Sequence, residues 1–150
     1  MTPERLFSIL NMVAMSAWLM LVLLPRVRWV ARRVPVTVAA LLAIVYTALV
    51  AGPLLRGDGG FSSLASVRAL FVDDWALLAG WTHYLAFDLL LGGWEVRDAQ
   101  RRGIAHLWVV PALVATFLVG PAGWLSYMAV RRFAPQAAAP SHQVTPAGHA

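Results

Sequence analysis

The chain has 150 residues, of which 60% are hydrophobic and 13% charged, a composition typical of integral membrane proteins rather than soluble domains. All 12 basic residues are arginine, which excludes a lysine Schiff base, and the absence of cysteine excludes disulfides, thiolate metal ligands and iron–sulfur ligation. The net charge of +5 comes from arginines that flank apolar segments. We interpret them as topology signals and contacts to membrane lipid headgroups, and we expect no nucleic-acid partner.

Four apolar segments are long enough to cross a bilayer as helices. A span needs about 20 residues, because a helix rises about 1.5 Å per residue and the hydrocarbon core is about 30 Å thick. The predicted spans cover residues 6–24, 36–55, 75–94 and 105–130. Pro35 is well placed to begin the second span. Pro111 and the Gly-Pro-Ala-Gly sequence at 120–123 predict kinks in the fourth, and the carbonyl groups that they free need partners within the bundle.

The predicted fold is an all-α membrane protein, with four transmembrane helices in one bundle over residues 1–132. Residues 61–71 place apolar side chains on one helical face and serines on another, which predicts a short interfacial amphipathic helix between the second and third spans. Residues 133–150 are rich in proline, alanine and polar residues and predict a disordered tail. The first and third loops together hold seven arginines and the other segments five, which favours both termini outside the cytoplasm.

The third predicted span carries the polar side chains that are most costly to place in a bilayer. A carboxylate at the depth of Asp88 costs roughly 2.5 to 3.5 kcal/mol on insertion scales, which indicates a function. Tyr84 and Asp88 share a helix face, so the phenol can hydrogen-bond the carboxylate. His83 is turned about 140° from Asp88 around the axis, so the two line one cavity only if the bundle surrounds the helix on more than one side. Asp88, His83 and Tyr84 are the candidate catalytic residues.

Other side chains at comparable depth are candidates for binding a substrate. Trp81 and Phe87 can line an apolar slot, and Asn11, Tyr46 and Thr116 on the other helices can complete a polar pocket. The structural alternative is that Tyr84 and Asp88 form a hydrogen-bonded clamp between helices.

We predict no metal and no cofactor. His83 and His106 differ in depth by about 10 Å, too much for a shared haem. Asp88 and Glu95 are carboxylates, but no paired-histidine or Glu-x-x-His spacing accompanies them. Phosphate-loop and dinucleotide motifs are also absent from the sequence.

Several short motifs resemble one family of small membrane proteins, those of the abscisic-acid-deficient type that are required for neoxanthin synthesis. The motifs are Val-Arg-Ala-Leu-Phe at 67–71, Asp-Asp-Trp at 73–75, Gly-Trp-Thr-His-Tyr-Leu-Ala-Phe-Asp-Leu at 80–89, Trp94 with Arg-Asp-Ala at 97–99, and Gly-Pro-Ala-Gly at 120–123. The resemblance implies action on a carotenoid or related isoprenoid lipid, by an isomerisation that opens an epoxide. The chain shows no transit peptide, so we expect a bacterial-type member in a bacterial plasma membrane.

That reaction needs an acid and a base but no redox cofactor. Desolvation favours the protonated form of Asp88, the candidate acid, and the neutral form of His83, the candidate base. The sequence leaves three alternative functions open. The protein can be an iron-dependent carotenoid oxygenase, a carotenoid-binding or assembly protein without turnover, or a homo-oligomer that conducts protons through His83, Tyr84 and Asp88.

Overall fold

The computed structural model describes residues 1–56 and 60–135, without the side chains of 53–56. Across these residues the chain is helical and contains no strand, which confirms the all-α class. The helices are α1 (Pro3–Leu23), α2 (Arg28–Arg56), α3 (Leu64–Leu70), α4 (Asp74–Arg101), α5 (His106–Val119) and α6 (Pro121–Phe133). The predicted tail at 133–150 falls largely outside the described residues.

Two helices are long and apolar enough to cross a membrane, α1 and the Arg28–Gly52 part of α2. α2 begins earlier than the sequence predicted, so Pro35 lies inside the helix rather than at its start. Because Pro35 has no N–H group, the carbonyl of Ala31 loses its intrahelical partner. The Arg97 side chain of α4 donates to that carbonyl at 2.9 Å, which compensates for the missing bond.

α4 is the central helix and contacts α1, α2, α5 and α6. α1 runs parallel to it, since Trp81 donates to Asn11 in the first half of both helices and Gln100 donates to the Pro25 carbonyl at their ends. α2 runs antiparallel on another side. Gly92 of α4 makes room for the Trp18 ring of α1, because a Cβ there would lie 2.4 Å from that ring.

α3 confirms that a short helix lies between the second and third predicted spans, and Ser63 caps its first turn by accepting a bond from the Ser66 N–H. Phe71, which follows α3, packs on Gly80 of α4, where a Cβ would lie 2.6 Å from the Phe71 ring. The interfacial position of α3 remains a prediction.

The fourth predicted span is not one helix. α5 and α6 are joined by Gly120, whose positive φ of 48° lets the backbone reverse direction. Arg131 near the end of α6 reaches Asp98 at 2.9 Å, at the same end of α4 where α5 begins. Gly123 packs against the α5 backbone so closely that a Cβ would stand 1.9 Å from the Thr116 nitrogen. The prediction of one kinked helix over 105–130 is therefore wrong, because the break at Gly120 produces a hairpin.

Candidate functional site

One side of α4 faces the α5–α6 hairpin and carries three buried carboxyl groups. Asp88, Glu95 and Asp98 are 8%, 0% and 7% exposed, respectively. In the described part of the chain, Asp88 Oδ2 and Glu95 Oε2 have no hydrogen-bond partner. A buried polar atom without a partner is costly, so these two carboxyl groups are the first candidates for a function.

Asp88 lies at the tip of the hairpin, where α5 turns into α6. Its Oδ1 and Oδ2 are 3.1 and 3.3 Å from the position that a Cβ on Gly120 would occupy. Gly120 is the N-cap residue of α6 and supplies no side chain to cap that helix. The free N–H groups of a helix N-terminus carry partial positive charge, which favours a neighbouring carboxylate. The turn therefore compensates part of the cost of burying Asp88.

Asp88 also lines a cavity of about 440 Å³, together with Phe87, Leu90, Leu91, Trp94 and Pro121. We call this cavity the Asp88 groove. Phe87 is 60% exposed, so the groove opens on the outer surface of the bundle. Among the residues that line it only Asp88 is ionisable, and the other walls are apolar or aromatic. The groove thus presents a single acidic group to a largely apolar space.

Tyr84 attaches the hairpin tip to α4. Its hydroxyl donates to the Phe117 carbonyl at 2.5 Å and also interacts with the Asp88 carboxyl group. The Phe117 carbonyl needs this partner because Pro121, one turn later, has no N–H group to offer. This contact bears out the expectation that carbonyls freed by proline find partners within the bundle. Tyr84 therefore holds the backbone of the tip beside Asp88.

A second and larger cavity, of about 650 Å³, lies near the start of α1 and α4. Aromatic residues Phe7, Phe71, Trp81 and Tyr84 form much of its lining. The Trp81 indole stacks at 5.6 Å from Phe7 and donates to Asn11 Oδ1 at 3.1 Å. We call this space the N-terminal cavity. Of the predicted substrate-binding residues only Trp81 lines this cavity among the described residues, and none of the three buried carboxyl groups does.

The structure places the predicted base away from both cavities. His83 is exposed and packs against Tyr46 and Phe87, with ring centroids 5.4 and 4.6 Å apart. His83 and Phe87 are neighbours on one stripe of α4, and Phe87 forms a wall of the Asp88 groove. His83 is therefore one side chain away from the groove, on the outer surface of the bundle.

Glu95 is the site residue that the sequence reasoning did not propose. Thr116, predicted to bind substrate, is fully buried and donates to Glu95 Oε1 at 2.9 Å. The spacing of seven residues from Asp88 already placed Glu95 on the same helix face. The burial of Glu95 was not apparent from the sequence, because the third predicted span ends at residue 94 and a loop was expected to begin at Glu95. Among the described residues no three histidine, aspartate or glutamate side chains cluster as a metal site.

Asp98 ties the end of α6 to α4. Its Oδ2 accepts hydrogen bonds from Tyr127 at 2.8 Å, Arg131 at 2.9 Å and Arg102 at 3.0 Å. Asp98 lies beyond the predicted third span. Burial raises the pKa of its carboxyl group, but the three donated hydrogen bonds outweigh burial and lower the pKa below its ordinary value.

We expect Asp98→Asn to lower the free energy of unfolding at neutral pH by about 2 kcal/mol, since hydrogen bonds to a charged acceptor are lost. Because the folded-state pKa is lowered, this contribution is complete above the ordinary value of 3.8 and is lost as pH falls further. Denaturant unfolding in micelles at several pH values measures it, with Asp74→Asn at the exposed start of α4 as control. A difference between wild type and Asp98→Asn that is the same at pH 3 and pH 7 would contradict the assignment.

The fold and the site define a small all-helical protein with membrane-length helices and a lateral groove that has a buried carboxyl group on its floor. Residues 5–127 match the family described as ABA DEFICIENT 4-like, or ABA4-like. The chain belongs to this family, which confirms the resemblance to neoxanthin-synthesis proteins found in its motifs. No curated protein and no solved structure matches the chain.

Proposed function

We propose that this is an integral membrane protein that acts on a carotenoid or a related isoprenoid lipid bound in the Asp88 groove. One observation carries the proposal. Asp88 is almost fully buried, has an oxygen without a partner among the described residues, and lies on the floor of an apolar groove that opens sideways. An oily substrate can enter such a groove from the bilayer, and family membership makes a carotenoid the first candidate.

In the proposed membrane arrangement α1, α2 and α4 cross the bilayer, and the α5–α6 hairpin enters and leaves on one side. α4 has 28 residues, more than the about 20 that a span requires. α5 has 14 residues and α6 has 13, so each reaches only about 20 Å. The hairpin turn then lies near the bilayer midplane, at the level of Asp88 in the middle of α4. This arrangement replaces the four crossings expected from sequence.

The hairpin changes the distribution of arginines between the two ends of the bundle. Nine now lie at the end where α4 finishes: Arg26, Arg28, Arg32, Arg33, Arg97, Arg101, Arg102, Arg131 and Arg132. The other end has three, Arg5, Arg56 and Arg68. Arginine-rich ends face the cytoplasm, so we place the N-terminus outside and the end of α6 inside, in a bacterial plasma membrane.

The proposed reaction is an epoxide-opening isomerisation. Asp88 donates a proton to the epoxide oxygen as its carbon–oxygen bond breaks, and a base removes a proton from a neighbouring part of the polyene. The electrons of that carbon–hydrogen bond form the new double bond, so the product is an isomer that carries a hydroxyl group. His83 is the proposed base, since a long ligand lying over Phe87 can contact both residues. Tyr84 acts by positioning the hairpin tip.

Expression in a host that accumulates violaxanthin, followed by pigment chromatography, tests this function. The wild-type protein is expected to produce a new isomeric pigment. Asp88→Asn should slow its formation by about 100-fold or more, because a general acid contributes about 10²–10⁴-fold. Asp74→Asn makes the same chemical change at an exposed position of α4 that lines the N-terminal cavity and not the Asp88 groove, so it should leave the rate unchanged. A folded Asp88→Asn protein with full turnover would rule out the acid role.

A second candidate function is carotenoid binding without turnover, and the N-terminal cavity favours it. That cavity is larger than the Asp88 groove and is lined mostly by aromatic and apolar side chains. In this case unchanged pigment would co-purify in a fixed ratio with the protein. Trp81→Ala would release the pigment, whereas Asp88→Asn would not.

A further inference from the structure

We propose that the N-terminal cavity binds a phospholipid from one leaflet of the bilayer, with the ammonium group of the lipid headgroup between Glu4 and Asp74. This site is separate from the Asp88 groove, because no residue of the described chain lines both. The proposal rests on the membrane arrangement given above, in which α1 and α4 cross the bilayer. It does not depend on the isomerase reaction.

The charged side chains that line the N-terminal cavity are both acidic. Glu4 lies in the first turn of α1 and Asp74 in the first turn of α4, and the parallel packing of the two helices brings both to one cavity. Neither carboxylate has a hydrogen bond or an ion pair with another of the described residues. Helix dipoles favour each acid separately, but they do not provide a cation for the space between them. A positively charged ligand supplies a partner for both.

Aromatic rings continue the lining of the cavity beyond the two acids. Phe7, Trp81 and Tyr84 form a row in which neighbouring ring centroids lie 5.6 and 5.3 Å apart. Phe7 follows Glu4 by about one helical turn, so both side chains project from the same face of α1. The faces of aromatic rings attract cations, and quaternary ammonium groups are recognised by aromatic cages. Carboxylates together with aromatic rings therefore favour an ammonium group over a neutral or anionic one.

The depth of the cavity matches one leaflet of the bilayer. Between Asp74 and Tyr84, both in the lining, α4 advances about 15 Å, which is half of the hydrocarbon thickness of about 30 Å. The acids lie at the headgroup end, and Leu77, Leu78 and Trp81 provide an apolar wall for an acyl chain. The volume of about 650 Å³ lies within the range of roughly 300–1,000 Å³ that is typical of ligand pockets.

The phosphate of such a lipid has a cation at the same end of the bundle. Arg5 directly follows Glu4, is exposed and has no ion pair with another of the described residues. Arg5 does not line the cavity. The headgroup would therefore place its ammonium group inside the cavity mouth and its phosphate outside.

Native mass spectrometry of the full chain, released from neutral maltoside micelles, tests the proposal with two probes. The probes are a phosphatidylethanolamine and its N-acetyl derivative, which keeps the chains and the phosphate but has an amide in place of the ammonium group. The wild type is expected to bind one phosphatidylethanolamine, and to bind the N-acetyl derivative at least about tenfold more weakly. The double variant Glu4→Gln/Asp74→Asn should bind both probes equally, because it lacks the charges that distinguish them.

Matched variants locate the binding in this cavity. Trp81→Leu should weaken the binding of phosphatidylethanolamine, whereas Trp29→Leu, which removes an exposed tryptophan at the opposite end of the bundle, should not. Asp88→Asn removes a carboxyl group from the other cavity and should keep the preference for phosphatidylethanolamine.

Equal binding of the two probes by the wild type would overturn the proposal and leave the cavity to an uncharged ligand such as a carotenoid. A preference that survives in the double variant, or equal weakening by the two tryptophan variants, would also overturn it. Pigment conversion plays no part in this measurement, so a failure of the proposed reaction leaves the result unaffected.

Discussion

A single cysteine placed at Pro135 will react from the same side of the membrane as one placed at Ala105, and from the opposite side to one placed at Ser62. The reason is the α5–α6 hairpin, which returns the chain to the end of α4 from which it left. All three positions are exposed, so each cysteine is accessible to a reagent. The expected difference in labelling is all or none, since a membrane-impermeant maleimide does not cross an intact bilayer.

The measurement is labelling of intact and permeabilised cells, and the natural chain contributes no background because it has no cysteine. The cysteine replacing Ser62 should react in intact cells, and the other two only after permeabilisation. If the segment from α5 to α6 instead crossed the membrane, the cysteine replacing Pro135 would react in intact cells alongside that at Ser62. That outcome would refute the hairpin arrangement and restore the four crossings predicted from sequence.

Gly123→Ala should destabilise the protein far more than Gly60→Ala, although the chemical change is the same. A Cβ on Gly123 would lie 1.9, 2.3 and 2.4 Å from backbone atoms of Thr116 and Ala115, which cannot rotate away as a side chain can. Overpacking of a core costs about 1–3 kcal/mol even where side chains adjust, so we expect about 3 kcal/mol or more here. A Cβ on Gly60 meets nothing within 4 Å.

Denaturant unfolding of both variants in the same detergent provides the comparison. Equal stabilities for Gly123→Ala and Gly60→Ala would show that α5 and α6 do not pack through Gly123.

Much of the site could be anticipated from spacing along one helix. Asp88 is a charged residue in the middle of an apolar segment, and Tyr84 precedes it by one turn, so their proximity follows from helix geometry. The same reasoning correctly left His83 on a different face from Asp88. Burial of Glu95 could not be anticipated, because it depends on how far α4 extends and on which helix covers that face.

Proline residues in helices leave some carbonyl groups without a donor, and the sequence predicts only part of how these groups are satisfied. A proline within a helix always leaves the carbonyl of the preceding turn without its usual donor, so a need for partners was predictable. Which donors meet that need, Tyr84 for Phe117 and Arg97 for Ala31, depends on helix packing.

The all-helical class, the family and the choice of Asp88 as a candidate site residue follow from composition, motifs and helical spacing, because these are properties of neighbouring residues. The path of the chain after residue 119 does not follow from these properties. A glycine and a proline together permit a kink or a complete reversal, and local sequence does not distinguish the two. The reversal is settled by contacts between distant segments, of Gly123 with Thr116 and of Arg131 with Asp98, and these contacts also place Asp88 and Glu95 in one interior.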